Sequence, residues 1–538
     1  MNQITQKQLD DLFALARHSP KDGLVLLREL QSKYPEDQNL LNNSGAILID
    51  VGSDLSDEDL IREGIVICKE ASAKFGWNEP ILLYNIANGY YSLYEFSKKL
   101  NGDEFRFNPD CSPLFEAKRF YRKAIQSSGQ LHLEVRAQLW VNYGNCLSGL
   151  GRSAEALSSY DKALSVLPTH LMAKGNLAIE LNYFSSITRH NIFKLDSLHL
   201  LKEVCSTELS GRYVSIGTQS SFKKVYNRIL DEVIKLGLEE ETNNKENVTQ
   251  ANQGTRNVYE QFCLRNQLFL NLCHSCFKCK HSLEDNVTFS FQTSIDDDKT
   301  FIRLSRVINS IKEQYANSRY LFFNALYSDA DFIKIDKLTS YIDNLDYAVY
   351  GIQMTSLKLV YQSVFNIFDK IAHFINDYLD LGLKGSKINF TTQEGKVWTK
   401  NGKLRSRIMQ KNNYPLFALY DIARDLAIDY KEPNQDGYQG YLRRTRNALT
   451  HEYLILHVEE INWSIEADDK ALHMSVDKFV DQVMELIKVT RSAIIYLIAF
   501  IDINERRKHE EDQGIVASMF LPEYDASLFS SNIYYKKY

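Results

Sequence analysis

The feature that most narrows the fold is a spacing in the first third of the chain. Between Ala137 and His170, Trp140, Gly144, Ala156, Tyr160, Ala163 and Pro168 fall where two antiparallel helices need them. Gly144 and Ala156 are small, so the two helices can approach closely. Tyr160 and Ala163 point toward the next pair, and Pro168 ends the second helix because it has no N–H to donate. A single such pair cannot bury its apolar face, so the unit must be stacked. Weaker copies supply the stack: Gly23, Leu27, Leu30 and Pro35; Gly45 and Leu48 with Gly64, Cys68 and Ala71; and Tyr84, Asn88 and Tyr91 with Ala117, Tyr121 and Ala124. An insertion near Gly102 to Ser112 splits the last of these. Leu171 to Phe184 reads as a further first helix that caps the array. That makes about four units, above the minimum of about three.

The unit resembles the tetratricopeptide (TPR) repeat. The resemblance implies a helical solenoid with a concave groove, whose default ligand is a protein or peptide. Only 9 Pro and 24 Gly occur in 538 residues, which suits long helices and disfavours a turn-rich β protein. The expected fold class is therefore all-α, with the TPR-like array over residues 1–185.

Beyond the array, Lys194 to Leu238 is helical in period without repeating. Glu239 to Arg256 (EEETNNKENVTQANQGTR) is polar and aperiodic and reads as a linker. We place a connector over 186–255, a second helical domain over 256–508 and a tail over 509–538. Helical periods in the second domain run over Phe301–Leu326, Met354–Leu381, Tyr414–Ile428, Gly440–Glu459 and Ser475–Arg507. In the Met354 segment, Leu359, Phe365, Phe368, Ile371, Ala372, Ile375 and Leu379 form an apolar stripe. The Ser475 segment is a main stave of the bundle.

The N-terminus has no basic start followed by an apolar core. The most apolar run, Ser492 to Ile503, is about half of a membrane span. The eight cysteines suggest no disulfide framework. These features lead us to expect a cytoplasmic protein with no membrane partner. A net charge of −6 argues against a general nucleic-acid coat protein, though not against a local basic groove. Lys396 to Lys411 holds six basic residues and no acid, among them Lys403, Arg405 and Arg407; Arg443, Arg444 and Arg446 form a second cluster. Each is read either as an RNA-facing surface or as a solvated face.

The sharpest chemical candidate is LRRTRNALTHEYL, Leu442 to Leu454. Asn447 and His451 are four apart and share a helix face, so Asn447 can fix the imidazole in one orientation. Arg446 lies to the side, with a planar fork long enough to reach a phosphate beside the ring. Arg444 also satisfies the spacing. Asp369, in FDKIAHFIND with Lys370, is either a supporting partner of Arg446 or part of a polar helix edge; His373 reads as a packed histidine.

Arg446-Asn447 and His451 match the Arg, four to six residues, His motif of HEPN domains. FCLRNQLFLN (Phe262–Asn271), NSRYLFFNAL (Asn317–Leu326), FDKIAHFINDYLDLG (Phe368–Gly382) and VTRSAIIYL (Val489–Leu497) resemble the HEPN branch found downstream of TPR-like repeats. The likeness spans roughly Arg256 to Ile503. It implies metal-independent RNA cleavage without a cofactor: the ribose 2′-hydroxyl attacks the adjacent phosphate and leaves a 2′,3′-cyclic phosphate. His451 would act as general acid or base, Arg446 would stabilise transition-state charge, and Asn447 would orient His451 or a phosphate oxygen. It further implies a homodimer through the C-terminal bundle and a toxin or antiviral type of effector. Lys403, Arg405, Arg407 and Arg443 are the expected RNA contacts.

Two other readings compete. A non-catalytic scaffold would use the array for one partner and the bundle for dimerisation or nucleotide binding. A zinc-stabilised binder would use CHSCFKCKH, where Cys273, Cys276, Cys279 and His281 have two C-x-x-C steps and Cys263 is a further ligand candidate. One short run is an unusual way to build a tetrahedral site, and a reactive thiol cluster is the other use of such residues. No Gly-rich phosphate loop and no H-E-x-x-H occurs.

Overall fold

The computed structural model describes residues 3–75, 80–102, 112–188, 191–206, 216–238, 257–271, 283–289, 291, 298–327, 332–343, 345–428, 437–459 and 471–511. The Cys273–His281 cluster, the 239–256 linker and most of the tail lie outside them. The described chain is almost entirely helical.

The N-terminal region is a run of packed helix pairs: α1 (Gln6–His18) with α2 (Pro20–Lys33), α3 (Gln38–Leu55) with α4 (Glu58–Phe75), α5 (Pro80–Asn101) with α6 (Ser112–Ser127), and α7 (Leu133–Gly149) with α8 (Ser153–Val166). Local signals set the ends. Thr5 and Gln8 close a reciprocal capping box on α1, and Asp37 caps α3 through the Leu40 amide. The stack does not stop at α9 (Leu171–Thr188), which packs on α10 (Asn191–Ser206), itself covered by α11 (Ile216–Lys235).

The repeated spacing has a repeated physical consequence. A Cβ on Gly144 would lie 2.5 Å from the Tyr160 ring, so only glycine admits that ring. Tyr160 in turn hydrogen-bonds Asn145 Oδ1 at 2.9 Å, and Asn176 of the next pair donates to the same oxygen at 2.8 Å. One pair earlier the arrangement recurs: Tyr121 donates to Asn88 Oδ1 at 2.8 Å, and Asn142 donates to it at 3.1 Å. An amide ladder thus joins successive pairs.

The C-terminal region is a bundle of α13 (Asp298–Tyr327), α15 (Ile352–Tyr378), α17 (Tyr414–Asp425) and α19 (Val476–Glu511), preceded by α12 (Val258–Arg265). The short helices α14 (Phe332–Asp336) and α16 (Ser406–Met409) lie in its connections, and α18 (Gly440–His451) packs on α15. Three of the segments that resemble HEPN domains meet in one place. Arg319 pairs with both oxygens of Asp285, at 2.8 and 2.7 Å, and donates to the Leu268 carbonyl. Arg491 donates to the carbonyls of Phe269 and Asn271. Buried guanidinium groups therefore close the backbone of the 262–271 segment.

Three expectations need correction. The helix expected over Gly440–Glu459 stops at His451. Glu452 is extended, and Tyr453–His457 forms β3, parallel to β4 (Ala471–Ser475). The alternating YLILH run suits a strand. A small antiparallel hairpin, β1 (Thr399–Lys400) with β2 (Lys403–Leu404), lies in the basic segment. In α15, Leu359 is exposed rather than part of the buried stripe, and His373 is exposed rather than packed. His373 falls seven residues after Asn366 and four after Asp369, on the helix's polar edge.

Array and bundle share one core. Lys118 of α6 and Arg152, just before α8, are buried against Asp421 and Asp425 of α17. Gly151, at φ +75°, sits so close to the Tyr414 carbonyl that a Cβ would lie 2.5 Å from its oxygen. Among the described residues no helix is long and apolar enough to cross a membrane.

Candidate active site

Helix α18 carries the site and is fixed from several sides. Leu442, Thr445 and Ala448 form its buried face. Tyr361 donates to the Leu442 carbonyl and Gln362 to the Leu449 carbonyl, both at 2.8 Å from α15. Thr445 donates to Gln482 of α19 at 2.9 Å. With that face buried, Arg444, Asn447 and His451 share another face, at helical positions i, i+3 and i+7.

His451 is the last helical residue and is exposed; Asn447, one turn before it, is half-buried. Arg446 is half-buried, its Nη1 3.4 Å from Asn447 Oδ1 and its guanidinium 5.9 Å from the centre of the Phe365 ring. Arg443 lies 5.3 Å from the same ring. Phe365 thus positions two cations through the attraction of its π face. Asp369 is one turn further along α15. Its Oδ1 accepts from the Phe390 amide at 3.4 Å, and Arg443 donates to the Phe390 carbonyl at 2.6 Å. Asp369 is therefore linked to the arginine cluster through the Phe390 peptide.

The cations expected to meet RNA have diverse surroundings. Arg443 also donates to the Leu426 carbonyl. Arg405 is turned onto the carbonyls of Lys396 and Gly395, and Arg407 onto that of Leu379 and onto Asp380. Lys403 projects from the β1–β2 hairpin and is exposed. Arg405 thus closes the base of the hairpin, whereas Arg407 ties α16 to the end of α15. Of the proposed zinc ligands only Cys263 is described: it is buried in α12, where burial pushes its thiol up to about 11.

The sequence reading did not find a second histidine arrangement close to α18. His457, on β3, is fully buried. A carbonyl can only accept, so its Nδ1–H donates to the Asp346 carbonyl at 2.9 Å, and its Nε2 shares a hydrogen bond with His473 Nδ1, also at 2.9 Å. The pair ties the 346–349 segment and β4 to the strand that follows His451. No spacing rule announces it, because the partners belong to strands that pair only after folding.

Residues 295–504 match the family described as LA2681-like HEPN. The chain therefore contains a HEPN-family domain behind an all-helical N-terminal region, and Arg446, Asn447 and His451 fall inside the matched span. No curated protein matches the chain.

Proposed function

We propose that the C-terminal domain is a metal-independent endoribonuclease in which Arg446, Asn447 and His451 act together. The observation that carries this reading is the exposed His451 on the same helix face as Asn447, with Arg446 held beside Asn447 by the Phe365 ring. In the reaction, His451 moves the proton of the 2′-hydroxyl or of the leaving 5′-oxygen. Arg446 offers a planar pair of donors to the phosphorane-like charge. In-line displacement needs proton transfer on both sides of phosphorus, and a second copy would bring the other histidine.

A surface suited to that second copy lies close by. Leu338, Ile342 and Leu345 are 85, 82 and 85 % exposed, and Tyr347, Tyr453 and Val458 are exposed with them. Tyr453 is two residues after His451, so a twofold pairing on this apolar surface brings two α18 ends toward one cleft. The N-terminal array, which we read as TPR-type, would dock a protein or peptide in its groove and regulate the nuclease, in the manner of a toxin or antiviral effector.

The test is cleavage of total RNA and tRNA in EDTA by the native chain, His451→Ala and Arg446→Ala. We expect products ending in a cyclic phosphate, with at least a ~100-fold loss in each variant. Equal inertness of all three, in a dimeric protein whose expression is toxic to cells, would favour the scaffold reading.

A further inference from the structure

A second cluster of cations lies at the seam between array and bundle, away from His451. On the array side it is built by Arg122 of α6, Trp140 and Tyr143 of α7, and Lys162 of α8. On the bundle side are Glu485 and Lys488 of α19, with Tyr438 and Tyr441 at the start of α18. The only carboxylate among these groups is heavily engaged. Glu485 is paired with Arg122, accepts from Gln439 Nε2 at 2.7 Å and accepts from the Tyr441 hydroxyl. Arg122 is further held with its guanidinium 4.2 Å over the Tyr438 ring.

The two lysines are arranged differently. Glu155 of α8 meets the Tyr496 hydroxyl of α19 at 3.1 Å. About two turns from that contact, forward along α8 and backward along α19, the chain reaches Lys162 and Lys488. Lys162 and Lys488 thus stand on the two helices that meet at the Glu155–Tyr496 contact. Burial pushes Lys162 below the ordinary lysine range, helped by Lys488 and Arg122. Burial also pushes Lys488 down, against the pull of Glu485. Both side chains are crowded by the seam yet still reach solvent, and neither forms an ion pair with a described residue. Lys162 Nζ instead lies 4.5 Å over the Trp140 ring, with Tyr143 edge-on to that indole at 6.2 Å. Glu485 is thus committed to Arg122, and Glu155 and Asp425 to Arg152, which leaves Lys162 and Lys488 without a carboxylate of their own beside an aromatic wall.

We propose that this seam binds a small phosphate-bearing anion, with a phosphoryl group between Lys162 and Lys488 against the Trp140 wall. A phosphoryl group carries enough charge to compensate both lysines at once; a single carboxylate leaves one uncompensated. Lysine suits phosphate as a compact point charge with rotatable donors. The site is distinct from the nuclease site, since α18 puts its first residue at the seam and His451 at the far end, about 17 Å away.

The test is calorimetric titration of the full chain with pyrophosphate, ATP and adenosine. Pyrophosphate and ATP are expected to bind and adenosine not. Lys162→Ala and Lys488→Ala should each weaken binding at least tenfold, and His451→Ala should bind as the native chain does. Tighter binding of ATP than of pyrophosphate identifies a nucleotide stacked on the aromatic wall; equal binding identifies a free phosphate species. As a second readout, pyrophosphate should raise the melting temperature of the native chain and of His451→Ala but not of Lys488→Ala. Absence of binding by both phosphates, affinity unchanged in both lysine variants, or loss of binding in His451→Ala would each overturn the proposal. The inference does not depend on the nuclease being active.

Discussion

Replacing Lys118 by Met tests whether buried charge holds the array to the bundle. Lys118 is 4 % exposed and reaches Asp421 at 2.5 Å and Asp425 at 2.8 Å. Asp421 is fully buried and its Oδ1 has no partner, so its charge rests on Oδ2, shared between Lys118 and Arg152 at 2.9 Å. Met keeps most of the stem's volume and leaves two buried carboxylates to Arg152, which is also paired with Glu155. Removing one partner of a buried pair costs about 3–5 kcal/mol. For a domain of about 200 residues that lowers the melting temperature by roughly 6–20 °C. The pH dependence has a definite sign. Burial alone would raise the Asp425 carboxyl, but Lys118 and Arg152 outweigh it and hold the group below the usual range. In the native chain its contribution is complete above the unfolded value of about 4 and is lost as pH falls through the lower folded value. In the variant burial dominates, the folded value rises, and protonation relieves the strain as pH falls. The penalty should be largest near neutrality and shrink toward about pH 5. Thermal unfolding followed by circular dichroism reads both quantities, and adding Asp425→Asn should recover part of the loss at neutral pH. A drop below about 2 °C at neutral pH, or a penalty that grows on acidification, would refute the reasoning.

Two other expectations concern the surface and the backbone. Leu338→Asp and Ile342→Asp should each convert a dimer to monomer by light scattering without lowering the melting temperature of the monomer, because both side chains are almost fully exposed. Gly151→Ala should cost roughly 2–4 kcal/mol, from its positive φ and from the Tyr414 carbonyl, whereas Gly129→Ala, with open space around it, should stay within about 0.5 kcal/mol of the native chain.

What the sequence revealed and what it hid divide by distance along the chain. The spacing of Gly144 and Tyr160 is local, and the ring fills the space that the missing side chain leaves. The long α19 was readable because Val483, Ile487, Ile494, Leu497 and Ile501 recur at helical spacing, although the helix is buried on all sides from Val489 to Ile501 and exposed from 507 on. The motif on α18 was readable as spacing, and the Leu442–Thr445–Ala448 face that orients it follows from the same period. Less was legible where partners come from distant segments. Lys118 and Asp421 are 303 residues apart, and Arg122 and Glu485 are 363 apart, so no window of sequence shows them as pairs. The end of α18 was misjudged because apolar residues continue past it. Leu454 and Leu456 suit a helix or a strand until pairing with β4 selects the strand.

These long-range pairs also fasten the two halves of the chain together. Glu485 holds Gln439 and Tyr441 at the start of α18 and is itself held by Arg122 of the array. The other end of the helix carries His451 and passes directly into β3, whose His457 is fastened to His473 and to the Asp346 carbonyl. A helix of 12 residues packed along one face moves more readily as a rigid rod than by bending. Glu485 thus joins α6 of the N-terminal region to the first turn of the helix that carries Arg446 and His451. The amide ladder of Asn88, Asn142, Asn145 and Asn176 joins α5, α7 and α9, while Arg122 reaches the bundle from α6.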